Sequence, residues 1–228
     1  MGFSDEHINQ SKTDQVLNQL AKQFISEFQN NSEISVKTSG STGAPKHYNV
    51  KKERFICSAQ RTCDFFGLKA GDRAFLCLSP ASLGGTMMLV RSMIRRMNLT
   101  LGNLSAFPFE SKQEFDFAAF VPLQINRIIE KDIDYLKQIK NIIIGGGVLN
   151  SKTEQKLVES NINAYVTFGM TETLSHIALR KVGQKEYQVL EGIDISVDGE
   201  NRLIIHDLKV AGDLPIMTND IIEITSTK

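Results

Sequence analysis

The chain has 228 residues, 41% hydrophobic and 23% charged, a composition that supports a packed globular core and excludes a disordered or collagen-like polymer. Lys and Arg total 26 and Asp and Glu total 26, so the formal net charge is zero and carries no electrostatic footprint for nucleic acid or an anionic membrane. The three cysteines, Cys57, Cys63 and Cys77, lack paired CxxC spacing and read as buried or incidental thiols; no apolar run is long enough to span a bilayer and the N-terminus is not a signal, so the expected location is cytoplasmic.

In chain order, Val16, Leu17, Leu20, Phe24, Ile25 and Phe28 recur at helical spacing and predict an amphipathic helix over 11–30, with Ser11 and Asp14 at its start. A short strand is expected at 34–37, followed by a Ser/Thr/Gly-rich loop at 38–45. Helices at 51–66 and 84–97 then bracket a buried strand at 73–78. Further alternation gives strand 117–121, helix 123–130, strand 141–144, helix 151–159 capped by Ser151 with Glu154 three residues on, and strand 164–167. Alternating strands and helices predict an α/β fold with a mainly parallel sheet flanked by helices. After about Lys185 only strands are expected, at 187–190, 193–197, 203–206 and 221–224, so the chain divides into an α/β unit over 1–184 and a small β-rich subdomain over 185–228.

The strongest local signal is Thr38-Ser39-Gly40-Ser41-Thr42-Gly43-Ala44-Pro45-Lys46. Its glycines let the backbone approach an anion, its hydroxyls and N–H groups can bond phosphate oxygens, and Lys46 adds a point charge. Pro45 and His47 depart from the pattern of a nucleoside-triphosphate P-loop, which needs Gly and Ser/Thr at those positions. Composition alone would equally describe a flexible linker; the rest of the chain distinguishes the two. Strand 164–167 runs into Phe168, Gly169, Met170, Thr171, Glu172 and Thr173, and strand 141–144 into Gly145, Gly146 and Gly147. Open α/β sheets bind ligands beyond the carboxyl ends of their strands, so an aromatic ring, a hydroxyl, a carboxylate and close-approach glycines meet where a nucleotide would sit.

These segments, with Met217-Thr218-Asn219-Asp220, resemble in order and in strand context four motifs of the adenylate-forming superfamily of acyl-CoA synthetases, luciferases and nonribosomal adenylation domains. The resemblance implies that Thr38, Ser39, Gly40, Ser41, Thr42, Gly43 and Lys46 embrace the outer phosphates of ATP, and that Gly145, Gly146, Gly147 and Phe168, with Gly169 and Met170, frame the adenine. Thr171 would contact the α-phosphate, Glu172 would hold Mg²⁺ and Asp220 the ribose; Lys46, Thr171 and Glu172 are the implied catalytic residues. Phe168 stands where the family usually has tyrosine, and Asn219 where it usually has glycine.

Within the superfamily, 171–177 resembles the o-succinylbenzoate–CoA ligases of menaquinone biosynthesis, with His176 in place of glutamine. Ser175, His176, Leu83 and Gly84 are the acid-pocket candidates, although the 78–85 stretch lacks the histidine that many members carry there. The implied activity is ATP-dependent acid–CoA ligation with a small-molecule acid, ATP and coenzyme A as partners and Mg²⁺ as cofactor. The small mobile lid domain that follows the Asp220 motif in the family is not in this sequence, which is therefore expected to be the large domain of a longer enzyme. An adenylation domain that loads a carrier protein and a catalytically silent nucleotide-binding module are the alternative readings, and the sequence does not fix the oligomeric state.

Overall fold

The computed structural model describes residues 7–9, 14–37 and 47–225. The chain opens with strand β1 (Ile8–Asn9), helix α1 (Gln15–Asn30), the paired strands β2 (Glu33–Lys37) and β3 (His47–Lys51), and helix α2 (Lys52–Phe65). An alternating stretch follows: β4 (Arg73–Leu76), α3 (Leu83–Arg95), β5 (Asn98–Leu101), β6 (Phe115–Phe120), α4 (Pro122–Asp132), the short α5 (Asp134–Lys137), β7 (Ile139–Ile144), α6 (Ser151–Glu159) and β8 (Ala164–Met170). The rest is strand: β9 (Ser175–Lys181), β10 (Gln188–Val189), β11 (Asp194–Val197), β12 (Arg202–His206) and β13 (Ile216–Ile221).

The largest sheet has the order β1-β5-β4-β6-β7-β8-β9-β10, parallel from β1 to β8 and antiparallel at β9 and β10. Side chains alternate across it with period two, and both faces are covered. Ala74, Leu76, Phe117, Ala119 and Ile143 pack with Leu17 and Phe24 of α1, Phe55 of α2 and Met88 of α3. Phe75, Ala118, Phe120, Ile142 and Ile144 face the other way, onto Ile125 and Ile128 of α4 and Leu157 of α6. Burial on both faces explains why these strands read as continuous apolar runs rather than as alternating ones. The expected parallel α/β sheet is thus present. Of the cysteines, Cys63 and Cys77 are buried, Cys57 is half-buried and all are unpaired.

Several boundaries differ from expectation for local reasons. Asp14 caps α1, one carboxylate oxygen accepting the Leu17 N–H at 2.9 Å and the other the Leu104 N–H at 2.8 Å; Ser11 lies outside the described residues. The Leu104 N–H is the main reason the Asp14 carboxyl is held below its usual range, against the opposing effect of burial. At α6 the cap is Asn150, which accepts the Thr153 N–H at 2.8 Å, while Glu154 turns away to a two-pronged ion pair with Arg180 of β9. Helix α3 ends at Arg95, since Arg96 adopts a left-handed conformation (φ 51°) and the chain enters β5. Met97, fully buried, prolongs the apolar pattern beyond the helix that generates it.

The segment after Thr171 is not helical. A turn leads into β9, which doubles back antiparallel on β8, with a register shift between Phe168 and Gly169 that leaves Ile177 as the extra residue of a bulge. Within the expected strand 187–190, Gln188 and Val189 pair with Leu179 and Ala178 at the edge of the large sheet. The separate three-stranded sheet is β11-β12-β13 and begins at Asp194. Its last strand lies at Ile216–Ile221 rather than 221–224, hidden in the sequence because Thr218, Asn219 and Asp220 are turn-forming residue types on a largely exposed edge strand.

Candidate functional site

The strand order reverses at β4. Its chain successor β5 lies on one side and β6 on the other, so the crossovers leave in opposite directions and open a crevice at the carboxyl ends of the strands, where such sheets bind ligands. Four segments reach this edge: the approach to α3 after β4, Val121 after β6, the glycine triplet after β7, and residues 168–174 at the end of β8.

The glycines have steric causes. A Cβ on Gly145 would lie 2.5 Å from the Thr167 hydroxyl of neighbouring β8, and Gly146 takes a φ of 76°, so the triplet gives the edge a bare, backbone-lined wall. On β8, a Cβ at Gly169 would overlap the backbone of Ser175, which is why β9 can close on β8 at the bulge. The turn between them is pinned by buried Thr173: its hydroxyl accepts the Met170 N–H at 3.1 Å and donates to the Ser175 carbonyl at 2.7 Å. Thr171 is left half-buried and Glu172 exposed at the apex.

Residues 38–46, hence Thr38, Ser39, Gly40, Ser41, Thr42, Gly43 and Lys46, lie outside the described residues. Their described flanks, Lys37 and His47, are register partners in β2 and β3. The next residue, Tyr48, donates its hydroxyl to the Thr171 carbonyl at 3.3 Å. Burial and then the nearby Glu172 charge raise the Tyr48 hydroxyl's pKa, so the chain leaving the 38–46 segment runs beside the Thr171–Glu172 turn.

Phe168 is half-buried and meets Tyr187 edge-on, ring centroids 6.0 Å apart. Tyr187 in turn lies under the Arg180 guanidinium at 5.6 Å, and Arg180 is held by Glu154 of α6. Asp220 is exposed on β13 with its N–H on the Thr218 hydroxyl at 3.1 Å; no hydrogen bond among the described residues joins it to the glycine triplet or Phe168. Leu83 and Gly84 occupy the first turn of α3. Leu83 lines a cavity of about 330 Å³ with Leu20, Phe24, Phe55 and Pro80, away from the Ser175 and His176 hydrogen bonds.

Half-buried Ser175 and buried His176 belong to a polar group that periodicity does not reveal. Arg91 of α3, 1% exposed, donates from Nη2 to Ser175 Oγ at 2.8 Å; Ser175 Oγ lies 3.2 Å from His176 Nδ1, and His176 Nε2 lies 3.0 Å from the hydroxyl of fully buried Thr62 on α2. Among the described residues the buried Arg91 Nε has no partner, and the described ion pairs include no carboxylate opposite this guanidinium. Burial lowers the Arg91 pKa to about 10, so it stays charged at neutral pH. Burial first and the Arg91 charge second push the His176 pKa well below its ordinary value, so this imidazole is neutral. The available signal for Arg91 was a lone charge inside the apolar run Met87-Met88-Leu89-Val90. Thr62 and Tyr48 carried none.

The sequence profile of the AMP-binding enzymes matches residues 36–210, the span that carries the 38–46 loop, the glycine triplet and the 168–174 turn. The chain belongs to the AMP-binding enzyme family. Among curated members, the 2-succinylbenzoate–CoA ligase of Bacillus cereus (strain ZK / E33L) is 26% identical over 148 residues, covering 62% of this chain and 31% of the relative. Among solved structures, an acyl-CoA synthetase (AMP-forming)/AMP-acid ligase II-like protein from Dyadobacter fermentans matches with a TM-score of 0.83 and 31% identity over 94% of this chain and 63% of that one. The o-succinylbenzoate coenzyme A synthetase MenE of Bacillus subtilis, solved in complex with ATP and magnesium ion, shares the fold at a TM-score of 0.66 and 19% identity, covering 82% of this chain and 42% of that one. The chain thus spans just under a third of the length of the B. cereus relative. Among the described residues no helix is long and apolar enough to cross a membrane.

Proposed function

We propose that this chain carries the nucleotide and acid sites of an ATP-dependent acid–CoA ligase, and that its acid is o-succinylbenzoate or another acid bearing a second carboxylate. The observation that carries the reading is Arg91. Burying a guanidinium costs several kcal/mol by order of magnitude unless it is paired, yet its one described hydrogen bond is to the neutral Ser175 hydroxyl, and its Nε has no partner among the described residues. A ligand carboxylate completes that pairing, and Arg is the side chain suited to a planar, forked acceptor. The name of the curated relatives, 2-succinylbenzoate–CoA ligase, supports the same acid.

In this reading the acid's other carboxylate attacks the α-phosphorus of ATP, pyrophosphate leaves and an acyl adenylate forms; the thiol of coenzyme A then attacks the acyl carbon and AMP leaves. No enzyme nucleophile is needed. Thr38, Ser39, Gly40, Ser41, Thr42, Gly43 and Lys46 bind the outer phosphates, and Lys46 offsets the charge that grows on the leaving pyrophosphate. Gly145, Gly146, Gly147, Phe168, Gly169 and Met170 frame the adenine, Thr171 bonds the α-phosphate and Asp220 accepts from the ribose. Arg91 and Ser175 hold the acid and His176 stands behind Ser175, while Leu83, which lines the separate cavity, and Gly84 lie outside this pair. No cluster of three or more metal-binding side chains occurs among the described residues, but the exposed Glu172 carboxylate suits Mg²⁺, a hard cation that keeps waters and takes its other oxygens from phosphates. Bound there, Mg²⁺ supplies charge neutralisation on the phosphate oxygens. The unit over 1–184 provides every one of these groups except Asp220, which the unit over 185–228 contributes.

The test is a screen of candidate acids for ATP-dependent AMP release by the complete gene product. Release with o-succinylbenzoate above simple aromatic monoacids supports the reading, and release with none of the acids in the presence of coenzyme A overturns it.

A further inference from the structure

A guanidinium has five N–H donors and no acceptor, so in the chain Arg91–Ser175–His176–Thr62 the first link can run only one way: Ser175 Oγ accepts from Arg91 Nη2. The serine proton is then free for the acceptor 3.2 Å away, His176 Nδ1. A neutral imidazole whose Nδ1 accepts carries its proton on Nε2, and that N–H points at the Thr62 hydroxyl 3.0 Å away. Only the first polarity is forced by the guanidinium; the serine-to-imidazole and imidazole-to-threonine polarities are those the proposal assigns. Two of the three elements that meet here are themselves held: α2 by the fork of Arg61, next to Thr62, onto Asp207 just after β12, and β9 against β8 by Thr173 and the bulge.

We propose that Thr62 and His176 are positioning residues that hold the Ser175 hydroxyl with its lone pair towards Arg91, so that the guanidinium is fixed with its unpartnered Nε directed to the acid's second carboxylate. The proposal rests on the reading of Arg91 as the acid-binding cation given above. Neither residue touches the reacting atoms. If Thr62 is lost, His176 is free to rotate or change tautomer, the serine proton loses its acceptor, and the hydroxyl can turn so that it no longer fixes Arg91. The charged group facing the imidazole is Arg91 from α3, and burial combines with that charge to keep His176 neutral.

Two measurements on the complete gene product test this. Long-range proton–nitrogen correlation spectra, assigned by loss of the signal in His176→Gln, should find His176 in the Nε2–H tautomer without substrate; an Nδ1–H tautomer overturns the proposal. In kinetics, Thr62→Val and His176→Leu should raise the KM for o-succinylbenzoate roughly tenfold, the scale of one lost buried hydrogen bond. The KM for ATP and for 3-benzoylpropionate, which lacks the ring carboxylate, should stay unchanged. Thr62→Ser, which keeps the hydroxyl, and His176→Gln, which can accept and donate in the same directions, should restore the wild-type KM. A loss shared equally by both acids, or no loss at all, overturns the proposal. Arg91→Met separates the two failures. If it erases the preference for the diacid while Thr62→Val does not, the positioning role alone is wrong; if it leaves the preference intact, the acid-site reading is wrong and this proposal falls with it.

Discussion

The carboxylate of Glu172 sits on a turn whose geometry is set by neighbours rather than by itself: Thr173 pins the turn from inside, and Tyr48 holds the Thr171 carbonyl. Glu172→Gln should therefore leave the unfolding midpoint in urea within about 0.5 kcal/mol of wild type, as expected of an exposed surface change. The same change should remove most Mg²⁺-dependent turnover of the complete gene product, and unchanged turnover at saturating Mg²⁺ would remove Glu172 from the metal site. His176 makes an opposite kind of prediction. Its native pKa is lowered while the unfolded imidazole titrates near 6.5, so the unfolded state binds a proton that the native state refuses. Stability should fall as pH drops from about 6.5 towards the lowered native value, with a slope approaching 1.4 kcal/mol per pH unit. The lowered carboxyls, such as those of Glu154 and Asp198, act only further down in pH. Urea midpoints at about pH 7.5 and 5.5 for wild type and His176→Gln measure the difference; equal pH slopes would mean that His176 takes up its proton as readily in the folded protein as in the unfolded one.

Helix α2 links the large sheet to the small one. Arg61 forks onto Asp207 with neither side chain appreciably exposed, and donates also to the Gly192 carbonyl, while Asp207 accepts the Val210 N–H. Asp207→Asn keeps the shape but strands the Arg61 charge, and should cost about 3 kcal/mol in a denaturant titration. Arg61→Met combined with Asp207→Asn should recover part of it, and single-variant losses that simply add in the double variant would show that the pair is not coupled. Elements of this kind were legible where one physical signal dominated. Helix α1 has an unambiguous apolar stripe, and β6 and β7 are apolar runs that only a sheet covered on both faces accommodates. β9 was not legible, since its β8 partner and its bulge depend on a Gly169 contact with no local sign. The end of α3 was missed because Met97 is apolar for the sake of the core and not of the helix.

Across the whole molecule, the nucleotide candidates could be read because backbone-binding chemistry leaves a mark in glycine and hydroxyl content, and the sheet brings the glycine triplet and the 168–174 turn to adjacent carboxyl ends. The Arg91–Ser175–His176–Thr62 cluster could be read only at Ser175 and His176, through the resemblance, since it is assembled from α2, α3 and β9 and its members are far apart in the chain. One pair of comparisons tests the central claim that this fold presents a buried cation to the second carboxylate of the acid. ATP–pyrophosphate exchange by the complete gene product is measured with o-succinylbenzoate and with 3-benzoylpropionate, for wild type and Arg91→Met. The account predicts that wild type prefers the diacid by at least about tenfold in kcat/KM, the scale of one charge-assisted hydrogen bond, and that Arg91→Met uses the two acids equally. Equal use of both acids by wild type, or a preference that survives Arg91→Met, would contradict it.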